Sequence, residues 1–180
     1  MDPISQKDRP IGLLLLDSTF PLPAFTLLSP RPEDLQYTHP GRGTVVQTFN
    51  GGFVDDFGEG LTDISVSGHT GWAGGSVPGE LQFYTLRDLV VLQYHQARKT
   101  KADAGQSIDT VKLYWVDTLN LFVYEVYPVS FTSKKNRQRP LLYQYSMRLI
   151  GINRLFGLSD LIGAVSGAIG GAVSGAMAAL

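Results

Sequence analysis

The chain has 180 residues, of which 43% are hydrophobic and 17% charged, with a formal net charge of -1 and no cysteine. That length holds one domain with a sizeable core and some extensions. The sparse, balanced charge excludes broad nucleic-acid binding, which needs a basic face, and the missing thiols exclude disulfides and thiolate metal sites.

Residues 1–10 are polar, with Pro3 and Pro10, and read as extended. They do not read as a signal peptide: the apolar run 13–16 is too short, Asp2 and Asp8 precede it, and no small-residue cleavage site follows. Ile11 and residues 13–16 form a short apolar strand candidate. In DSTFPLPAFTLLSPRP, Pro21, Pro23, Pro30 and Pro32 exclude a helix interior. Phe20 and Phe25, with nearby leucines, make this an extended apolar arm laid across its own core or across a neighbouring subunit. Residues 33–43 read as a loop.

Residues 41–75 read as a long hairpin. The run 44–49 is rich in β-branched and aromatic residues, and Asn50-Gly51-Gly52 breaks it as a chain needing positive φ would. Residues 53–60 (FVDDFGEG), with Phe53 and Phe57, read as an acidic turn. In residues 61–68, Thr62, Ile64 and Val66 alternate with Asp63, Ser65 and Ser67, the period of a half-buried strand. Residues 69–79 form a glycine-rich loop in which Trp72 is either a lid on the core or an interface anchor.

The spacing of Phe83, Leu86, Leu89, Val90, Tyr94 and Ala97 predicts a helix over about 80–98. Three strands are expected next: 109–117 (DTVKLYWVD), 121–132 (LFVYEVYPVSFT, with Pro128 marking an edge or bulge) and 141–152. The last two are joined by the basic connection SKKNRQRP. Its Lys134, Lys135, Arg137 and Arg139 make either a solvated loop or a contact with an acidic neighbour in a ring. No βαβ alternation is present, so a mainly antiparallel β-sandwich or barrel with one flanking helix is expected.

From residue 154 the chain becomes an apolar Gly/Ala-rich tail, with no charged side chain after Asp160. Gly163, Gly167, Gly171 and Gly175 fall every fourth residue. On a helix they form a small-residue stripe that lets another helix approach. Each glycine costs about 1 kcal/mol of helix propensity, so self-association within an assembly, membrane insertion and a disordered tail all remain open.

No catalytic constellation stands out. His39, His69 and His95 are scattered, and no nucleophile-elbow motif accompanies Ser67 and His69. Asp55, Asp56 and Glu59 lack calcium-loop spacing and read as solvated. No catalytic, cofactor-binding or metal residue is expected.

The segment GTVVQTFNGGFVDDFGEGLTDISVSGHTGW, the helix ending LVVLQYHQARK, and the later LYWVD and FVYEVYPVSFTSKKNRQRPLLYQYSMRLIGI resemble the hub and tube-initiating baseplate proteins of tailed bacteriophages. There a strand with a V.P..F segment is followed by a basic loop and a P..Y.Y...L.G strand, and the likeness covers residues 43–152. The resemblance implies a tail-tube-like β-sandwich or barrel with a flanking helix, placed over residues 41–153; the arm (1–40) precedes it, and the helical Gly/Ala tail (154–180) that follows departs from the family. It implies a non-enzymatic virion subunit of a contractile-type baseplate or distal tail tube, made in the host cytoplasm, without cofactors. It would form a homo-oligomeric ring, usually a hexamer, that joins the tube to the hub or spike. Phe20, Phe25, Phe49, Phe53, Phe57, Trp72, the four basic residues and the four tail glycines are the candidate inter-subunit contacts. The alternative is a small membrane-active or membrane-anchored protein using the tail.

Overall fold

The computed structural model describes residues 11–17, 24–28, 32–49, 51–70, 73–74, 77–120, 122–136 and 139–155. Among them, one seven-stranded antiparallel sheet carries the fold. The strands are β1 (Ile11–Asp17), β2 (Ala24–Leu27), β3 (Asp34–Thr38), β4 (Gly41–Thr48), β5 (Gly51–Glu59), β6 (Thr62–His69), β7 (Ala73–Gly74), β8 (Val77–Pro78), β9 (Val111–Asp117), β10 (Phe122–Asn136) and β11 (Arg139–Leu155). The sheet order is β2-β1-β9-β10-β11-β6-β3, while β4-β5 and β7-β8 are separate two-stranded ladders.

β1 is buried on both faces because its apolar run is continuous. Ile11, Leu13 and Leu15 join the main core, whereas Leu14 and Leu16 join a second cluster with Tyr114, Val116 and Val123. β9 divides in the same way, sending Val111, Leu113 and Trp115 into the main core. β6 obeys its alternation: Thr62, Ile64 and Val66 are buried. Pro128 sits at a register shift of the β10–β11 ladder, as a residue without an N–H should.

The helical segment comprises α1 (Gly79–Arg87), a π-helical stretch Asp88–Gln93 and α2 (Tyr94–Asp103). Phe83, Leu86, Leu89, Val90 and Tyr94 pack into the main core. Two bonds fix its ends. Tyr143 Oη donates to Glu80 Oε1 at 2.7 Å, and the buried Lys101 Nζ lies 2.6 Å from Asp17 Oδ1.

The expectation of a mainly antiparallel β domain with one flanking helix is met, but three local expectations are corrected. The strand expected at Ile11 and residues 13–16 is β1, which lies between β2 and β9, whereas other parts of the region read as an arm are the strands β2 and β3, the two edges of the sheet. Of the two supports left open for the arm, its own core holds Thr26 and Leu28, both buried. The loop expected over 33–43 contains β3, whose Leu35 and Tyr37 pack against the core. The acidic turn is strand β5, which pairs with β4, while β6 pairs with β3 and β11. The hairpin over 41–59 is thus shorter than expected and turns near Phe49.

Candidate subunit interface

The β4–β5 hairpin stands apart from the sheet, and its register places Val46 opposite Phe53 and Val45 opposite Val54. Opposite residues share a face and successive residues alternate. One face therefore carries Val46, Phe53 and Phe57 and the other Val45 and Val54. Both faces are open: Val45 is 72% exposed, Phe53 and Val54 60% each, and Phe57 68%. Phe49, at the turn, is fully exposed. A lone two-stranded ribbon is marginal in water, and burying a side chain of this size is worth about 1.5–3 kcal/mol. Such a ribbon gains stability when its apolar faces are covered.

Its root is rigid. Gly60 N–H donates to Pro40 O at 2.7 Å. A Cβ on Gly60 would meet Pro40 Cγ at 2.9 Å and Pro40 O at 3.0 Å, so the strands close there only with glycine. His39 Nδ1 lies 3.0 Å from Glu59 Oε1 and 3.2 Å from Thr62 Oγ1. A bulge at the root shifts the register between Gly41 and Gly43. Gly58 adopts φ 84° there, with its N–H donating to Asp56 Oδ1 at 2.8 Å. At the turn the positive φ belongs to Gly51, at 143°.

A second ribbon is the distal part of β10–β11. Lys135 pairs with Tyr143 and Asn136 with Arg139, beyond the Gln144–His69 pair at which β6 ends. Lys134 is exposed, and Lys135 Nζ lies 4.6 Å from the centroid of the Tyr143 ring. The sheet edges are β2, with Phe25 and Leu27 half exposed, and β3.

The other candidate contacts are placed as follows. Phe25 lies on edge strand β2, and Phe49, Phe53 and Phe57 lie together on the hairpin. Phe20, Trp72, Arg137, Gly163, Gly167, Gly171 and Gly175 lie outside the described residues, and Arg139 is described for its backbone alone. Val45, Val46 and Val54 are exposed apolar residues of the hairpin that sequence reading did not single out. The available signal was the adjacent apolar pair Phe53-Val54, which loads both faces of a strand.

The three histidines are held apart. His39 meets Glu59, His69 Nε2 lies 3.2 Å from Glu33 Oε1, and His95 packs on the Tyr94 and Tyr127 rings. Among the described residues no group of three or more His, Cys, Asp or Glu could hold a metal. Among them, too, no helix is long and apolar enough to cross a membrane.

The family model for phage tail tube initiator proteins matches residues 29–160. No curated protein matches. Among solved structures, the tail of an empty gene transfer agent particle with C6 symmetry is 8% identical, with a TM-score of 0.42, over 80% of this chain and 94% of that one. The sheath–tube complex of the PVC extracellular contractile injection system in its extended state is 10% identical, with a TM-score of 0.41, over 86% of this chain and 90% of that one. The virion of a native gene transfer agent particle is 9% identical, with a TM-score of 0.38, over 78% and 91%.

Proposed function

The chain belongs to the phage tail tube initiator family, and from that premise we propose that it is a non-enzymatic ring subunit at the distal end of a contractile-type tail. Its family makes it a structural protein of the virion tail. In the proposed role, copies close into a ring, six-fold by preference, which joins the tube to the hub or spike and templates the first tube layer.

The observation that carries this reading is the β4–β5 hairpin with apolar pairs open on both faces. A monomer leaves that surface in water, whereas an assembly buries it. A ring also needs heterologous contacts, in which one patch of each subunit meets a different patch of the next. Edge strands β2 and β3, at opposite margins of the sheet, are suited to such contacts.

Electron microscopy of the purified full-length chain and of the native particle tests the reading. Rings of uniform subunit number are expected in solution, together with density for the protein where tube meets baseplate. A protein that stays monomeric at high concentration and is missing from the distal tail overturns it.

A further inference from the structure

The chain carries two ribbons of opposite charge at opposite ends of one pair of strands. The hairpin leaves the sheet at the start of β6, where Thr62 pairs with Gly151. The β10–β11 ribbon leaves where β6 ends, at His69 and Gln144. The eight residues of β6 between these points span about 23 Å at a strand's rise. Residues 43–58 carry Asp55 and Asp56 and no cation, whereas residues 133–140 carry Lys134, Lys135, Arg137 and Arg139 and no anion. Asp55 and Asp56 are exposed, and as successive strand residues they lie on opposite faces of the hairpin. Lys134 and Lys135 are exposed and likewise alternate along their strand.

We propose that the acidic, apolar β4–β5 hairpin of one copy docks against the basic β10–β11 ribbon of the next copy, head to tail. This rests on the self-assembly reading above and specifies which surfaces meet. Within one subunit the ribbons project from opposite ends of the sheet, so the second copy is what brings them together. Complementary charge sets the direction of docking and the register, and the open Val45, Val46, Phe53 and Val54 side chains supply the area that is buried. A like-end meeting sets Asp55 and Asp56 against another acidic pair, which disfavours hairpin-to-hairpin contacts.

Charge exchange tests the contact. Two full-length variants are made, Asp55→Lys/Asp56→Lys and Lys134→Glu/Lys135→Glu, and oligomer mass is measured at low and high salt. Unchanged circular dichroism and thermal midpoints establish that both fold. Each variant alone should self-associate at least about tenfold more weakly than wild type, and wild-type association should weaken with salt. An equimolar mixture should associate into one-to-one pairs, because the acidic hairpin of the Lys134→Glu/Lys135→Glu variant then meets the intact basic ribbon of the Asp55→Lys/Asp56→Lys variant. Wild type that assembles while both reversed variants assemble equally well overturns this contact alone and assigns the ribbons to other tail proteins. A mixture that stays dissociated also overturns it. Wild type that never assembles overturns the self-assembly reading itself.

Discussion

Tyr37 Oη donates to Asp117 Oδ2 at 2.6 Å and accepts from Trp115 Nε1 at 2.9 Å, joining edge strand β3 to β9. In sheet order those strands are four steps apart, about 19 Å in a flat sheet. The sheet must therefore curl until its β3 margin meets β9, and the Tyr37 ring then packs against Phe122 and Tyr124. Asp117 is buried and its carboxylate also accepts from Leu119 N–H, Asn120 N–H and Asn120 Nδ2. One carboxylate thus caps the β9–β10 turn and anchors the far edge of the sheet.

Removing the hydroxyl should loosen this closure. Tyr37→Phe leaves the Trp115 N–H and one Asp117 oxygen without that partner and should cost about 1–3 kcal/mol. Asp117→Ala removes the acceptor shared by four donors and should cost more than Tyr37→Phe. Urea unfolding of both variants measures this as a fall in midpoint at unchanged slope. A Tyr37→Phe midpoint equal to wild type would show that the bond does not hold the curl.

The hairpin should respond in the opposite way. Val45→Ser with Val54→Ser changes open side chains and should leave the unfolding free energy within about 0.5 kcal/mol of wild type. Self-association should be lost. Leu149→Ala, at a fully buried position, should cost about 2–5 kcal/mol instead. Denaturation and light scattering on the same samples separate the two effects, and a serine pair that still assembles assigns the binding surface elsewhere.

The same contrast explains what could be read in advance. β6 was legible because one face is buried, so Thr62, Ile64 and Val66 alternate with polar neighbours. β5 has no buried face. Alternation has nothing to report there, and its glycines and carboxylates imitate a turn. β1 was legible as an apolar run, but not as an inner strand, because its pairing with β9 joins residues about a hundred positions apart. The Tyr37–Asp117 bond spans 80 positions and has no local signature. Of the candidate interface, the aromatic residues of the hairpin were found, while Val45 and Val46 were read only as strand formers and Val54 as part of a turn.

Alkaline pH should unfold the protein early. Hydrogen bonding to Glu80, followed by burial, pushes the Tyr143 hydroxyl up to about 12. Burial raises Tyr37, with a further contribution from Asp117, and burial also raises Tyr145, Tyr94 and Tyr114. The folded state therefore keeps protons that the unfolded chain loses from about pH 10. Stability is fully present below that value and falls as pH rises through the folded-state range. Urea midpoints between about pH 8 and pH 11 should drop steeply at the upper end, and phenolate absorbance should rise together with unfolding. Tyrosines that all titrate near the ordinary value while the protein stays folded would contradict this.

Lys101 and Asp17 offer the sharpest test of the inner architecture. Their side chains are 7% and 6% exposed, and Lys101 Nζ also donates to Thr110 Oγ1 at 2.6 Å. The pair binds α2 to the end of β1 where little water can screen it. Taking both charges out of water costs several kcal/mol per ion, an expense their attraction recovers only when both partners are present. Lys101→Met alone leaves Asp17 facing an apolar side chain and should cost about 3–5 kcal/mol. Adding Asp17→Leu removes the charge that has lost this lysine, and the double variant should recover part of that loss. The recovery appears as a large coupling energy in a double-mutant cycle. If Lys101→Met and the double variant unfold at the same urea concentration, Asp17 does not depend on this lysine.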